Sequence, residues 1–101
     1  MFIYLIKTKD NQQYKIGIAH NVYKRLRELQ TGNPEELILI NSYNSKFASK
    51  IETSLHNHYN YLNKRGEWFY FDICIELKFL DLCKQIEENI LFLKINGNNF
   101  V

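Results

Sequence analysis

The chain predicts an α/β (α+β) fold: a small sandwich with a central three-stranded antiparallel sheet flanked by helices, in the order ββαβα followed by a short strand and a C-terminal helix. Three observations lead there. Two short apolar and aromatic runs, FIYLIK and YKIGI, are separated only by a polar turn, which is the pattern of a hairpin. Two longer stretches repeat apolar residues at three- and four-residue spacing, which is helical. The length of 101 residues, 46% apolar and 24% charged, suits a single domain over 1–101 with one core.

In the first run, Phe2, Tyr4 and Ile6 alternate with Ile3 and Leu5, so both faces are apolar and the strand belongs at the centre of the sheet. Asp10 and Asn11 tolerate turn backbone angles, and Tyr14 to Ile18 returns as the second strand. Asn21 caps a helix from Val22 to about Thr31, with Val22, Leu26 and Leu29 on one stripe; Gly32 and Pro34 end it. Glu36 to Tyr43, with four consecutive aliphatics, reads as a third, buried strand. Ser45 caps a second helix to about Leu62 with Ala48, Ile51, Leu55 and Tyr59 inward and Glu52 and His56 one turn apart beside them. Glu67 to Phe71 is a short aromatic strand whose Trp68 and Phe69 supply core area. Asp72 caps a third helix with Ile73, Leu77, Leu80, Cys83, Ile86, Ile90 and Leu93 as its apolar stripe, and the NGNNF tail frays.

Composition excludes several classes. No apolar run approaches the roughly 18 residues of a membrane span, and MFIYLIKTKD lacks a signal peptide's basic region, so an intracellular, non-secreted chain is expected, cytoplasmic or in the nucleoid or nucleus. Cys74 and Cys83 on one helix are too far apart for a disulfide, about 13 Å at 1.5 Å per residue, and read as free core thiols. The charge is uneven: 10 Lys/Arg against 5 Asp/Glu up to Arg65, and 3 against 6 beyond it. A polyanion fits the first part, with a basic patch expected over Lys15, Lys24, Arg25 and Lys50.

The ordered set FIY, YKIGIA, RLRELQTGNP, IE, LH and GEWF resembles the GIY-YIG nuclease superfamily, and within it the branch of phage DNA-binding-protein and meiotically-up-regulated-gene-like domains. The resemblance spans Phe2 to Phe69. It implies a DNA endonuclease that uses a single Mg2+ (or Mn2+) ion and meets DNA mainly through its phosphates, with a homodimer or a recognition partner as further options. It sets Tyr4 at the first motif's tyrosine, Lys15 at the second motif's tyrosine, Gly17 at its glycine, Arg25 on the scissile phosphate and Glu52 on the metal. Phe2 and Lys15 depart from the superfamily's residues, and a bulge in the second strand would bring Tyr14 to the site in place of Lys15.

Phosphodiester hydrolysis needs an oriented water, stabilisation of phosphoryl charge and help for the leaving alkoxide. Tyr4 is expected to orient or deprotonate the water, with Lys15 lowering its pKa or binding phosphate. A guanidinium fork at Arg25 matches two phosphoryl oxygens, and one carboxylate at Glu52 is enough for an ion that keeps its waters. His56 has proton transfer or metal assistance as its role, set against a structural histidine. Tyr14, Gly17, Lys24, Arg27 and Lys50 are the expected DNA contacts. The competing readings are a DNA-binding module of the same fold that cuts slowly or not at all, and a protein-interaction domain using the acidic C-terminal helix.

Overall fold

The computed structural model describes residues 1–95; the expectation of a frayed NGNNF tail lies outside them. Phe2–Thr8 (β1) and Gln13–Ala19 (β2) form the expected antiparallel hairpin, with Tyr4 opposite Gly17 and Ile6 opposite Lys15. Leu37–Asn44 (β3) pairs with the other side of β1, so β1 is central, as its two apolar faces require. The sheet then extends beyond three strands. Asn63–Arg65 (β4) and Trp68–Tyr70 (β5) make a second hairpin around Gly66, whose φ of 58° lies in the region open to glycine, and β5 pairs with β2. The five strands run in the order β3-β1-β2-β5-β4. Strands of three residues are too short to show alternation, and for that reason β4 escapes a periodicity reading.

β3 differs from expectation in being a half-buried edge strand, with a register shift where it crosses Leu5 and Ile6 of β1. The irregularity falls here and not in β2, whose pairing with β1 is unbroken. That settles which way β2 faces. Tyr14, Ile16 and Ile18 turn to one side with Ile3 and Leu5, while Lys15 and Gly17 turn to the other with Tyr4 and Ile6.

Three helices cover the two faces. Val22–Thr31 (α1) is capped by Asn21, whose side chain accepts from the Lys24 amide, and lays Val22, Leu26 and Leu29 against Tyr4 and Ile6. Gln30 then braces the TGNP loop, donating to the Glu35 carbonyl at 2.8 Å and accepting from the Leu37 amide at 2.8 Å. On the other face, Ile51 and Leu55 of Ala48–His58 (α2) and Phe79, Cys83 and Ile90 of Ile73–Ile95 (α3) bury Ile3, Leu5, Tyr14 and Ile16. α2 is shorter than expected at both ends. Ser45 sits outside it and accepts from the Phe47 amide, and Asn60–Leu62 is a separate 3-10 turn. Asp72 does cap α3, accepting from the Ile75 amide at 3.0 Å.

The apolar stripe expected of α3 is only half correct. Ile73, Leu77 and Leu80 are exposed, and the helix packs instead through Phe79, Cys83 and Ile90, with Ile75, Leu82 and Ile86 beside them. Cys83 is a core thiol whose pKa burial pushes up to about 12, whereas Cys74 is exposed, contrary to expectation. The middle of α3 is tied down by Glu87, whose carboxylate accepts from the Tyr43 hydroxyl at 2.7 Å and from Ser45 Oγ. The carboxylate beside it, together with burial, pushes the Tyr43 hydroxyl up to about 12. Glu87→Ala strands both hydroxyls, so urea denaturation should show a loss of about 2 kcal/mol, against a change within about 0.5 kcal/mol for the exposed Asn89→Ala.

Candidate active site

The face of the sheet that α1 covers carries Tyr4, and the room for its ring comes from Gly17. A Cβ built on Gly17 would stand 2.3 Å from Tyr4 Oη and 2.5 Å from Cζ, inside any tolerable contact. The glycine of KIG is therefore explained by Tyr4 across the strand pair, where a DNA contact was expected. Arg25 flanks the inner face of α1, half-buried, and its guanidinium lies close enough to the Tyr4 hydroxyl to pull its pKa down. Burial raises the Tyr4 pKa, and the opposing pull of Arg25 does not reverse it. Tyr4 is thus a neutral phenol at ordinary pH.

Lys15 occupies the position diagonal to Tyr4, across from Ile6, and does not act on it as expected. Its ammonium, on a residue only 7% exposed, turns to Glu67 at 2.6 Å and lies over the Trp68 ring at 5.7 Å from the centroid. The register of β5 does this, because Lys15 is paired with Trp68 and Glu67 stands immediately before Trp68 in the turn. Glu67 was passed over in the sequence, where GEWF reads as aromatic core. The available signal was the acidic residue between a turn glycine and a strand that must pair somewhere.

α2 reaches this place from the opposite face. β5 covers β2 only at Gln13, Tyr14 and Lys15, so the outer edge of β2 is uncovered from Ile16 onward. His56 Nε2 donates to the Ile16 carbonyl there at 3.0 Å, and its ring stands edge-on to Phe69 at 5.0 Å. A carbonyl only accepts, so Nε2 carries the proton and Nδ1 keeps the lone pair. Glu52, one turn earlier, comes with it. The ligand atoms of Glu52, His56 and Glu67 all lie within 4.8 Å of one another. Glu52 has a raised pKa, first because it is buried, then because Glu67 is beside it; His56 and Lys15 oppose this.

Two carboxylates and an imidazole suit Mg2+ or Mn2+, hard cations that take oxygen ligands and, for manganese, nitrogen as well. The raised Glu52 pKa is the mark of a pair that a cation would relieve. The donor set therefore fits the ion.

The remaining expected residues scatter. Tyr14 is 1% exposed on the opposite face, donating to Glu76 at 2.7 Å, and cannot touch DNA or stand in for Lys15. Burial and that carboxylate raise its pKa. Lys24 and Arg27 are exposed on the outer side of α1. Lys50 precedes Glu52 by two residues, about 200° round the helix, and so projects away from the site. The expected basic patch over Lys15, Lys24, Arg25 and Lys50 is accordingly not assembled. Lys64 and Arg65, exposed on β4 beside the site, were not singled out in the sequence.

The antiparallel sheet thus gathers an arginine, a buried tyrosine and a carboxylate pair at the open edge of β2. The chain belongs to the T5orf172 domain family, whose model matches residues 1–90, and that domain is part of the GIY-YIG-like, nuclease-related superfamily. No curated protein and no solved structure gives a match.

Two outcomes follow from this geometry. Gly17→Ala should cost about 1–3 kcal/mol by overpacking, and much less in a Tyr4→Ala background; equal costs in the two backgrounds, measured by chemical denaturation, would break the link. A carboxyl whose folded pKa is raised favours folding while protonated and opposes it once pH rises through that pKa. Glu52→Gln should therefore raise the melting temperature of the metal-free protein at pH 7, an advantage that disappears below the ordinary carboxylate range.

Proposed function

We propose that this domain is a divalent-metal-dependent DNA endonuclease that hydrolyses phosphodiester bonds at the outer edge of β2. The observation that carries the reading is the meeting of two charge types there. Arg25 and the Tyr4 hydroxyl stand on one side, Glu52 and Glu67 with His56 on the other. Glu52 and Glu67 would hold the ion, which when bound supplies Lewis-acid stabilisation of the phosphoryl oxygens.

The protein's own groups do the rest. Arg25 offers two parallel N–H donors to the phosphate that is cut, a match that lysine lacks. Tyr4, neutral because it is buried, works through its hydroxyl as an orienting group for the water or a phosphoryl oxygen, not as a phenolate base. His56, fixed by the Ile16 carbonyl, presents Nδ1 as the acceptor for the proton that the attacking water loses. Lys15 holds Glu67 in place and adds positive charge below the phosphate. Lys24, Arg27, Lys64 and Arg65 contribute phosphate contacts along the duplex.

The second reading, a DNA-binding module that cuts slowly or not at all, is favoured by the Lys15–Glu67 pair. That ammonium already neutralises one carboxylate without a cation.

Incubation with supercoiled plasmid and Mg2+ or Mn2+ separates the two. On the nuclease reading the plasmid is nicked and EDTA stops the reaction. Arg25→Ala and Glu52→Ala should each lower the rate at least 100-fold while staying folded by circular dichroism, the usual loss when a phosphate-stabilising or metal-holding group is removed. Salt-sensitive binding without nicking would favour the binding module.

A further inference from the structure

The outer side of α3 is built unlike a solvated surface. Ile73, Leu77, Leu80, Leu91 and Ile95 are 51%, 74%, 38%, 38% and 83% exposed. At 100° per residue they fall with Lys84 and Glu88 in a stripe about 80° wide, turned away from Phe79, Cys83 and Ile90. Large aliphatics at both ends and one cation and one anion between them are the composition of an interface seam.

The order of charges says what covers it. Lys84 and Glu88 lie two residues either side of position 86, Leu77 and Ile95 nine either side, and Leu80 and Leu91 six before and five after. The stripe therefore complements its own reverse. An antiparallel copy sets Lys84 against Glu88 twice, Leu77 against Ile95 twice, and Leu80 beside Leu91. A parallel copy sets Lys84 against Lys84 and Glu88 against Glu88. Neither Lys84 nor Glu88 is in an ion pair among the described residues, where the pairs are Lys7–Glu76, Lys9–Glu36 and Lys15–Glu67.

We infer that two copies of this chain associate through their α3 helices, packed antiparallel about a two-fold axis that crosses the outer stripe at the level of position 86, so that Lys84 of each meets Glu88 of the other. Such an interface is isologous, as closed dimers are. From Leu77 to Ile95 the seam runs about 27 Å, long enough for a helix pair. α3 packs on the sheet face opposite Tyr4, so association leaves the candidate site open. The inference stands whether or not that site cuts DNA.

Sedimentation equilibrium on the full chain at micromolar concentration tests it. The wild type should sediment at twice its 12.2 kDa. Lys84→Glu alone and Glu88→Lys alone each turn two attractions into repulsions, and each should weaken the dimer roughly tenfold. The two single variants mixed together, and the double variant K84E/E88K, restore opposite charges and should recover wild-type affinity. Leu77→Asp and Leu80→Asp should give monomers that keep their circular dichroism. A monomeric wild type overturns the inference, and so does a dimer that ignores the single charge reversals or is not rescued by their combination.

Discussion

The shortness of β5 governs this molecule. It pairs with β2 at Gln13, Tyr14 and Lys15 and stops, leaving the Ile16 carbonyl at a bare edge. A backbone acceptor in that position needs a partner, and His56 supplies it. That one hydrogen bond brings α2, which packs on one face of the sheet, round to serve the other face. Glu52 arrives with it, and Glu67 arrives from the turn that begins β5. A β5 one or two residues longer would pair with Ile16 and exclude α2 from the site.

The charges gathered at this edge do not balance at rest. Glu52 holds its proton more tightly than an isolated carboxylate does, because it is half-buried and Glu67 stands beside it, and Lys15 pairs with Glu67. Tyr4 has Arg25 at its hydroxyl yet stays neutral because burial outweighs one neighbouring cation. The arrangement stores unfavourable electrostatics in the folded state, the usual condition of a site prepared for ligands of its own. The sheet bears that cost because its opposite face is a continuous aliphatic and aromatic core from Ile3 and Leu5 through Phe69, Phe79 and Ile90.

Much of the fold was legible because its elements obey local rules. Alternation in FIYLIK placed β1 at the centre, Asn21 and Asp72 cap α1 and α3 through their own side chains, and Gly32 with Pro34 ends α1. The failures share a cause. α3 is apolar on two sides, and periodicity alone cannot tell the core side from the other, so Leu77 and Leu80 were given to the wrong face. β3 looked buried because four aliphatics stand together, whereas its place at the edge depends on which strand β2 meets next. Among the candidate site residues, Tyr4, Arg25, Glu52 and His56 do come to one region, while Tyr14 and Lys50 do not, for reasons of strand face and helix angle.

By itself the sequence determined the period-2 and period-3.6 patterns, the caps and the turn residues, since each depends on neighbours within a few positions. It also determined that Gly17 is free of a side chain where Tyr4 needs space, although only the strand register reveals the use of that space. The tertiary structure decided the rest: that Lys15 serves Glu67 and not Tyr4, that Arg25 and not Lys15 faces the phenol, and that Glu67 joins Glu52 and His56. Each of these is a contact between residues far apart in the chain. Such contacts are fixed by which strand edge remains open after the sheet has formed, a property of the assembled sheet that no local segment carries.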